Sequence, residues 1–212
     1  MTKSEGQIRH HYAPAGLDTG EAEKLATILQ ERLSSLIDLS LTLKHVHWNV
    51  VGSGFIAVHE MMDTQSESAR AMVDEVAERI TTLGGVAAGL ATQVVDMRSA
   101  EDEYALGRAP VVAHLGALDK VYERIGAGHR EAIEQVSGVD PISEDLLIAQ
   151  TAQLEMSHWF IRAHLSDVDG RLATEGAVDQ LEAATMAVAL QPGIVVSEDE
   201  ASETEDEDST ES

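Results

Sequence analysis

The 212-residue chain has no cysteine. Disulfides, thiolate zinc sites, iron–sulfur clusters and thiol nucleophiles are therefore excluded. Phe, Tyr and Trp together make up only 3 % of the residues. All-β sandwiches and barrels draw heavily on aromatics, so this scarcity, beside abundant Ala, Leu, Val and Glu, points to helix. Basic residues are also few: 14 Lys+Arg stand against 38 Asp+Glu, a formal charge of −24. A surface of that sign repels nucleic acid and anionic membrane and draws cations. No apolar run reaches the length of a membrane span, and MTKSEGQIRHHYAPAG lacks the apolar stretch of a signal peptide. A soluble cytoplasmic protein without membrane contact is the expectation.

Apolar periodicity supplies the helices. Residues 1–18, with Pro14, Gly6 and Gly16, read as an N-terminal arm. Asp18 to Glu21 offers helix-capping oxygens. Leu25, Ile28, Leu29, Leu33, Leu36, Ile37 and Leu43 then recur at steps of three and four, the stripe of an amphipathic helix running to about Asn49. After a break at Val50–Gly54, Ile56, Val58, Met61, Met62, Met72, Val73, Val76, Ile80 and Leu83 mark a second helix over about 54–83, closed by Gly84 and Gly85. A long connection over 84–108 is expected to hold one short helix near Ala100–Tyr104. A third helix follows over about 109–136, with Pro110 in its first turn and Gly126 and Gly128 weakening its middle. Past a turn at 138–141, Ser143, Glu144 and Asp145 open a fourth helix to about Val168. Residues 19–170 thus predict an all-α, ferritin-like four-helix bundle with a long crossover between helices 2 and 3. Residues 171–191 form an extension suited to a short helix. The acidic tail at 192–212 cannot build a core and is expected to be disordered.

Three short motifs mislead. Gly52, Ser53, Gly54 and Ala57 loosely match a dinucleotide fingerprint, but a helix precedes them where a strand is required. His59, Glu60 and Asp63 approach the zincin helix but lack a third ligand nearby. Glu155 and His158 match the Glu-x-x-His of di-iron bundles, which need two copies; one copy reads as exposed polar surface.

The segment 44–85 is more informative. His59 with Asp63, and Asp74 with Glu78, are i,i+4 pairs whose members share a helix face. Nitrogen with carboxylate oxygen suits iron, manganese or zinc. The pairs are 15 residues apart, about 22 Å along a helix. One chain cannot close both on one metal. A twofold axis near the small residues of Ser66–Ala71 would bring the pairs of two antiparallel helices together, making two sites per dimer. His47 would return beside His59 across the short turn. Taken singly, each of these residues reads equally well as solvated helix face or hydrogen-bonded core.

The stretch KHVHWNVVGSGFIAVHEMMD, followed by DEVAERITTLGG, closely resembles the Dps family, the ferritin-like DNA-binding proteins from starved cells, in its actinobacterial form. The resemblance runs from about residue 20 to 169 and takes in LTLKHVHWNV and DLLIAQTAQLEMSHWFIRAHL. It implies a hollow homododecamer with ferroxidase centres at twofold interfaces. It implies that His47, His59 and Asp63 of one chain, with Asp74 and Glu78 of its mate, bind iron and catalyse its oxidation. The chemistry implied is oxidation of Fe(II) by hydrogen peroxide and storage of the ferric product, with no organic cofactor. Trp48 matches the tryptophan beside the centre, and also reads as interface packing. By position, Asp145 and Glu155 resemble acidic pore residues. Their ordinary readings are helix N-terminal charge and solvated surface.

The departures from the family concern DNA. Relatives grip DNA through basic tails, whereas the tail from Ser197 carries nine acids and no Lys or Arg, leaving 29 acids against 14 bases elsewhere. Tail-mediated DNA binding is not expected. A nucleoid-binding dodecamer and a different metal enzyme on the same shell, such as an amide hydrolase, are the competing readings.

Overall fold

The computed structural model describes residues 12–98 and 102–190. Six helices occur among them: α1 Thr19–Asn49, α2 Phe55–Thr82, α3 Ala91–Met97, α4 Val111–Val136, α5 Pro141–Leu165 and α6 Gln180–Ala189. Helices α1, α2, α4 and α5 are the bundle. Asp18 opens α1 in a capping box: Glu21 N–H donates to its Oδ1 at 2.8 Å, and its own N–H donates to Glu21 Oε2 at 2.9 Å. The leucine stripe faces inward, with Leu25, Leu29, Leu33, Leu36 and Leu43 all essentially buried. Each such side chain contributes about 1.5–3 kcal/mol. Helix α2 answers with Val58, Met62, Met72, Val76 and Ile80. Ile56, counted with that stripe in the sequence, instead faces outward in the first turn of α2.

Two residues after each break fix the topology. Val50 and Val51 (β1) pair in parallel with Ala109 and Pro110 (β2). The end of α1 therefore lies beside the start of α4, so α4 runs parallel to α2. Parallel neighbours need a connection that travels the length of the bundle, which is what residues 83–110 provide. This pairing also delays α4 by two residues relative to the expected start at 109. The crossover's short helix lies at Ala91–Met97, earlier than expected. Of the region near Ala100–Tyr104, residues 100 and 101 fall outside the described residues. Asp140 caps α5 by accepting from Ser143 N–H at 3.1 Å, with Pro141 in the first turn, so α5 starts earlier than expected and ends at Leu165. Neither Gly126 nor Gly128 interrupts α4. Gly128 leaves the room that the Arg32 guanidinium occupies.

The extension past residue 170 is docked on the bundle. Helix α6 lies on α4, where Gly116 lets the Ala183 backbone approach and Ala113, Ala117 and Ala184 form a small second core. Residues 1–11 of the expected arm over 1–18, and the expected disordered tail at 192–212, lie outside the described residues. Among the described residues, no helix is long and apolar enough to cross a membrane.

Candidate metal centre at the α1–α2 turn

The tight turn between α1 and α2 determines the site. Gly54, at φ 78°, is the N-cap of α2, a conformation that favours glycine. It folds α2 back so that His47, in the last turn of α1, meets His59, in the first turns of α2. Their rings stack at 3.6 Å between centroids. His47 Nδ1–H donates to the His59 carbonyl at 2.8 Å, and His59 Nδ1–H donates to the His47 carbonyl at 2.9 Å. A carbonyl can only accept, so both Nδ1 atoms carry the ring proton. Both Nε2 lone pairs are left free to ligate, as the outer hydrogen bond of a metal-binding histidine requires.

Asp63 lies one turn beyond His59, its Oδ1 3.9 Å from His47 Nδ1. The Lys44 ammonium hydrogen-bonds the same oxygen. That hydrogen bond, with smaller contributions from His47 and His59, holds the Asp63 carboxyl below the usual carboxylate range. Lys44 also stands 5.9 Å over the Trp48 ring. Trp48 itself is 71 % exposed in the isolated chain, and Leu41 and Ile56 are likewise exposed.

Helix α2 is continuous from Phe55 to Thr82, so Asp74 and Glu78 lie about 22 Å along it from His59 and Asp63. Both are exposed, and no hydrogen bond or ion pair engages their carboxylates among the described residues. Accordingly, no group of three or more His, Asp or Glu within the described residues can hold a metal ion. The structure brings His47, His59 and Asp63 together. It leaves Asp74 and Glu78 apart, on the outward face of the same helix.

The other candidates separate. Asp145 is exposed near the start of α5. Glu155 accepts from Arg130 Nε at 2.9 Å within the same chain. His158 is not exposed polar surface, as the lone Glu-x-x-His had suggested. Its Nε2–H donates to Asp119 at 2.7 Å. Asp119 is 4 % exposed and also accepts from Thr174 Oγ1 at 2.6 Å, pinning the C-terminal extension to the bundle. Burial opposes its ionisation, but the hydrogen bonds from His158 and Thr174 and the charges of His158 and Arg162 together hold its carboxyl below the usual range.

Sequence reasoning missed Lys44, Asp119 and the pair Tyr104–His114. Lys44 was discoverable, because it lies one turn before His47 and Trp48 on a helix face already singled out. The others join distant segments, and no local spacing marks them.

Comparison with known proteins follows this geometry. A family model described as a ferritin-like domain matches residues 26–170. The DNA protection during starvation protein of Mycolicibacterium smegmatis is 47 % identical over 172 residues, covering 81 % of this chain and 93 % of that protein. The fine tangled pili major subunit of Haemophilus ducreyi is 48 % identical, covering 81 % and 90 %. Among solved structures, DpsA14 from Streptomyces coelicolor superposes with a TM-score of 0.76 at 51 % identity, covering 79 % of this chain and 99 % of that chain.

Proposed function

The chain belongs to the Dps family of ferritin-like proteins, and from that premise we propose that it is a ferroxidase and iron-storage cage. It oxidises Fe(II) with hydrogen peroxide, retains the ferric product inside a hollow homododecamer and so limits oxidative damage. The observation that carries this reading is the half-site at the α1–α2 turn. Two histidines with Nε2 lone pairs freed by backbone hydrogen bonds stand beside Asp63, while two unengaged carboxylates wait on the same helix. A twofold axis across the middle of α2 sets His47, His59 and Asp63 of one protomer against Asp74 and Glu78 of its mate. The second protomer also covers Leu41, Trp48 and Ile56.

Iron is the substrate of this centre. The imidazoles and carboxylates suit Fe(II) in donor type, and the carboxylates favour the ferric product by charge. Lys44 must leave Asp63 as iron arrives. The Asp63 side chain is 48 % exposed, and an ion pair so open to solvent is weak, so the displacement costs little. Few ligands from each chain make an open site that loads and then discharges. Peroxide takes one electron from each of two Fe(II) ions, and two protons from solvent, as its O–O bond breaks to give two waters, so paired delivery makes less hydroxyl radical. Asp145 and Glu155 are proposed to line the iron entry pores. The chain's charge of −24 favours cation entry and disfavours a DNA role.

The test is addition of Fe(II) and peroxide to metal-free protein, following ferric absorbance in the wild type and in His59→Ala and Asp74→Ala. Rapid oxidation in the wild type and a large loss in both variants are expected. Equal rates in all three refute the assignment.

A further inference from the structure

The three tyrosines differ in what receives their phenolic proton. Tyr12 donates to the Thr81 backbone carbonyl at 3.0 Å. Tyr122, fully enclosed in the bundle, donates to the Gln65 amide oxygen at 2.8 Å. Neither a peptide nor an amide oxygen is a useful base. Tyr104, in the return of the crossover, lies 3.0 Å from His114 Nδ1. The other acceptor within its reach among the described residues, the His114 carbonyl, is at 3.5 Å, beyond a good O–H···O bond. We assign the phenol as donor to Nδ1, the tautomer that leaves the His114 Nε2–H for the Asn49 and Gly107 backbone oxygens. The two rings lie nearly parallel, 3° apart, with centroids at 6.0 Å.

His114 is 0 % exposed. Burial lowers its pKa to about 4, so the ring is neutral and can accept a proton. Its Nε2 has no partner of good geometry among the described residues, yet the Asn49 and Gly107 carbonyls lie close enough to favour the charged ring. Burial pushes the Tyr104 phenol up, so the tyrosine does not ionise by itself. The His45 ring meets Tyr104 edge-on at 5.8 Å. His45 is two residues before His47, on the other side of α1, so Tyr104 lies one helix diameter and one ring contact, together about 15 Å, from the half-site.

We infer that Tyr104 and His114 form a proton-coupled redox pair that collects oxidising equivalents escaping from the iron centre. The step balances simply. A one-electron oxidant of the hydroxyl-radical class, made from peroxide and Fe(II), is reduced by one electron from the Tyr104 ring. The phenolic proton moves from oxygen to His114 Nδ1 along the existing hydrogen bond. A neutral tyrosyl radical and an imidazolium remain, and no charge is left on the phenol in its low-dielectric surroundings. Return of an electron from a further Fe(II) and of the proton from His114 restores the pair. Tyr122 is denied this route because Gln65 cannot take its proton.

This inference rests on the ferroxidase reading for the source of the oxidant. Its test is freeze-quenched electron paramagnetic resonance of the full-length protein, with Fe(II) and peroxide in one arm and photogenerated azidyl radical on metal-free protein in the other. Ferric absorbance is recorded alongside. A tyrosyl signal is expected in both arms, lost in Tyr104→Phe and retained in Tyr122→Phe. In His114→Gln the yield falls several-fold, and the residual signal has a shifted g-value along the C–O bond, a change that a purely structural role of His114 would not produce. Loss of the signal in Tyr122→Phe, its survival in Tyr104→Phe, or radicals confined to tryptophan overturn the inference. Absent ferric absorbance overturns the ferroxidase reading, while the azidyl arm still decides the pair.

Discussion

A site split between two protomers makes a quantitative prediction. His59→Ala removes a ligand from the half-site at the α1–α2 turn, and Asp74→Ala removes one from the far carboxylate pair. Because α2 is one unbroken helix from Phe55 to Thr82, no bend within a protomer can join the two halves. Each variant alone should lack complete centres. When the two are co-assembled in equal amounts and dimers pair at random, about half of the dimers are mixed, and each of these contains one doubly damaged and one intact centre, giving about a quarter of the wild-type sites. The assay is the initial rate of ferric absorbance per protomer after co-refolding, with assembly checked by size-exclusion chromatography. A control sharpens it: His59→Ala with Asp63→Ala, both from the same half, should recover nothing, since every pairing damages both centres. No recovery in the first mixture, or equal recovery in the second, would refute the shared site.

Other expectations follow from the same structure. His114 and His129 are both buried and both held down to about 4 by desolvation, so their neutral forms stabilise the fold fully above the unfolded value near 6.5. That contribution, up to about 3 kcal/mol for each, is lost as pH falls from about 6.5 to about 4. Denaturant midpoints at fixed protein concentration should therefore drop between pH 7 and 4.5, and a flat profile contradicts the burial argument. Asp119 and Asp140, whose carboxyls are held low, stabilise above the unfolded carboxylate range, and their contribution is lost only at still lower pH. Lys44→Met should tighten the first Fe(II) by a few-fold at most, since the solvent-screened ion pair it removes is weak, as read by titration calorimetry without oxidant. Gly116→Val should push α6 off α4 at a cost of about 1–3 kcal/mol and expose residues 171–189 to protease, whereas Gly126→Ala, where nothing lies within 4 Å, should not.

The sequence determined the helices and one half of the site. The stripe Leu25–Leu29–Leu33–Leu36 fixes α1 because helical periodicity is local. His59 with Asp63 and Asp74 with Glu78 share faces by the same rule. Their 15-residue separation already keeps the two pairs from meeting within one chain, since the rise of a helix does not depend on its surroundings. The tertiary structure decided whatever depends on distant segments meeting. Pairing of Val50–Val51 with Ala109–Pro110 set the direction of α4 and shifted its start. The turn at Gly54 stacked His47 on His59 and fixed both tautomers, and it brought Lys44 onto Asp63. Docking of Thr174 on Asp119 turned His158 from apparent surface into a half-buried anchor, and the return of the crossover placed Tyr104 on His114. Hydrogen-bond direction and desolvation are properties of neighbours in space. A pattern of residue types along one chain specifies which groups are available, and only folding specifies which of them meet.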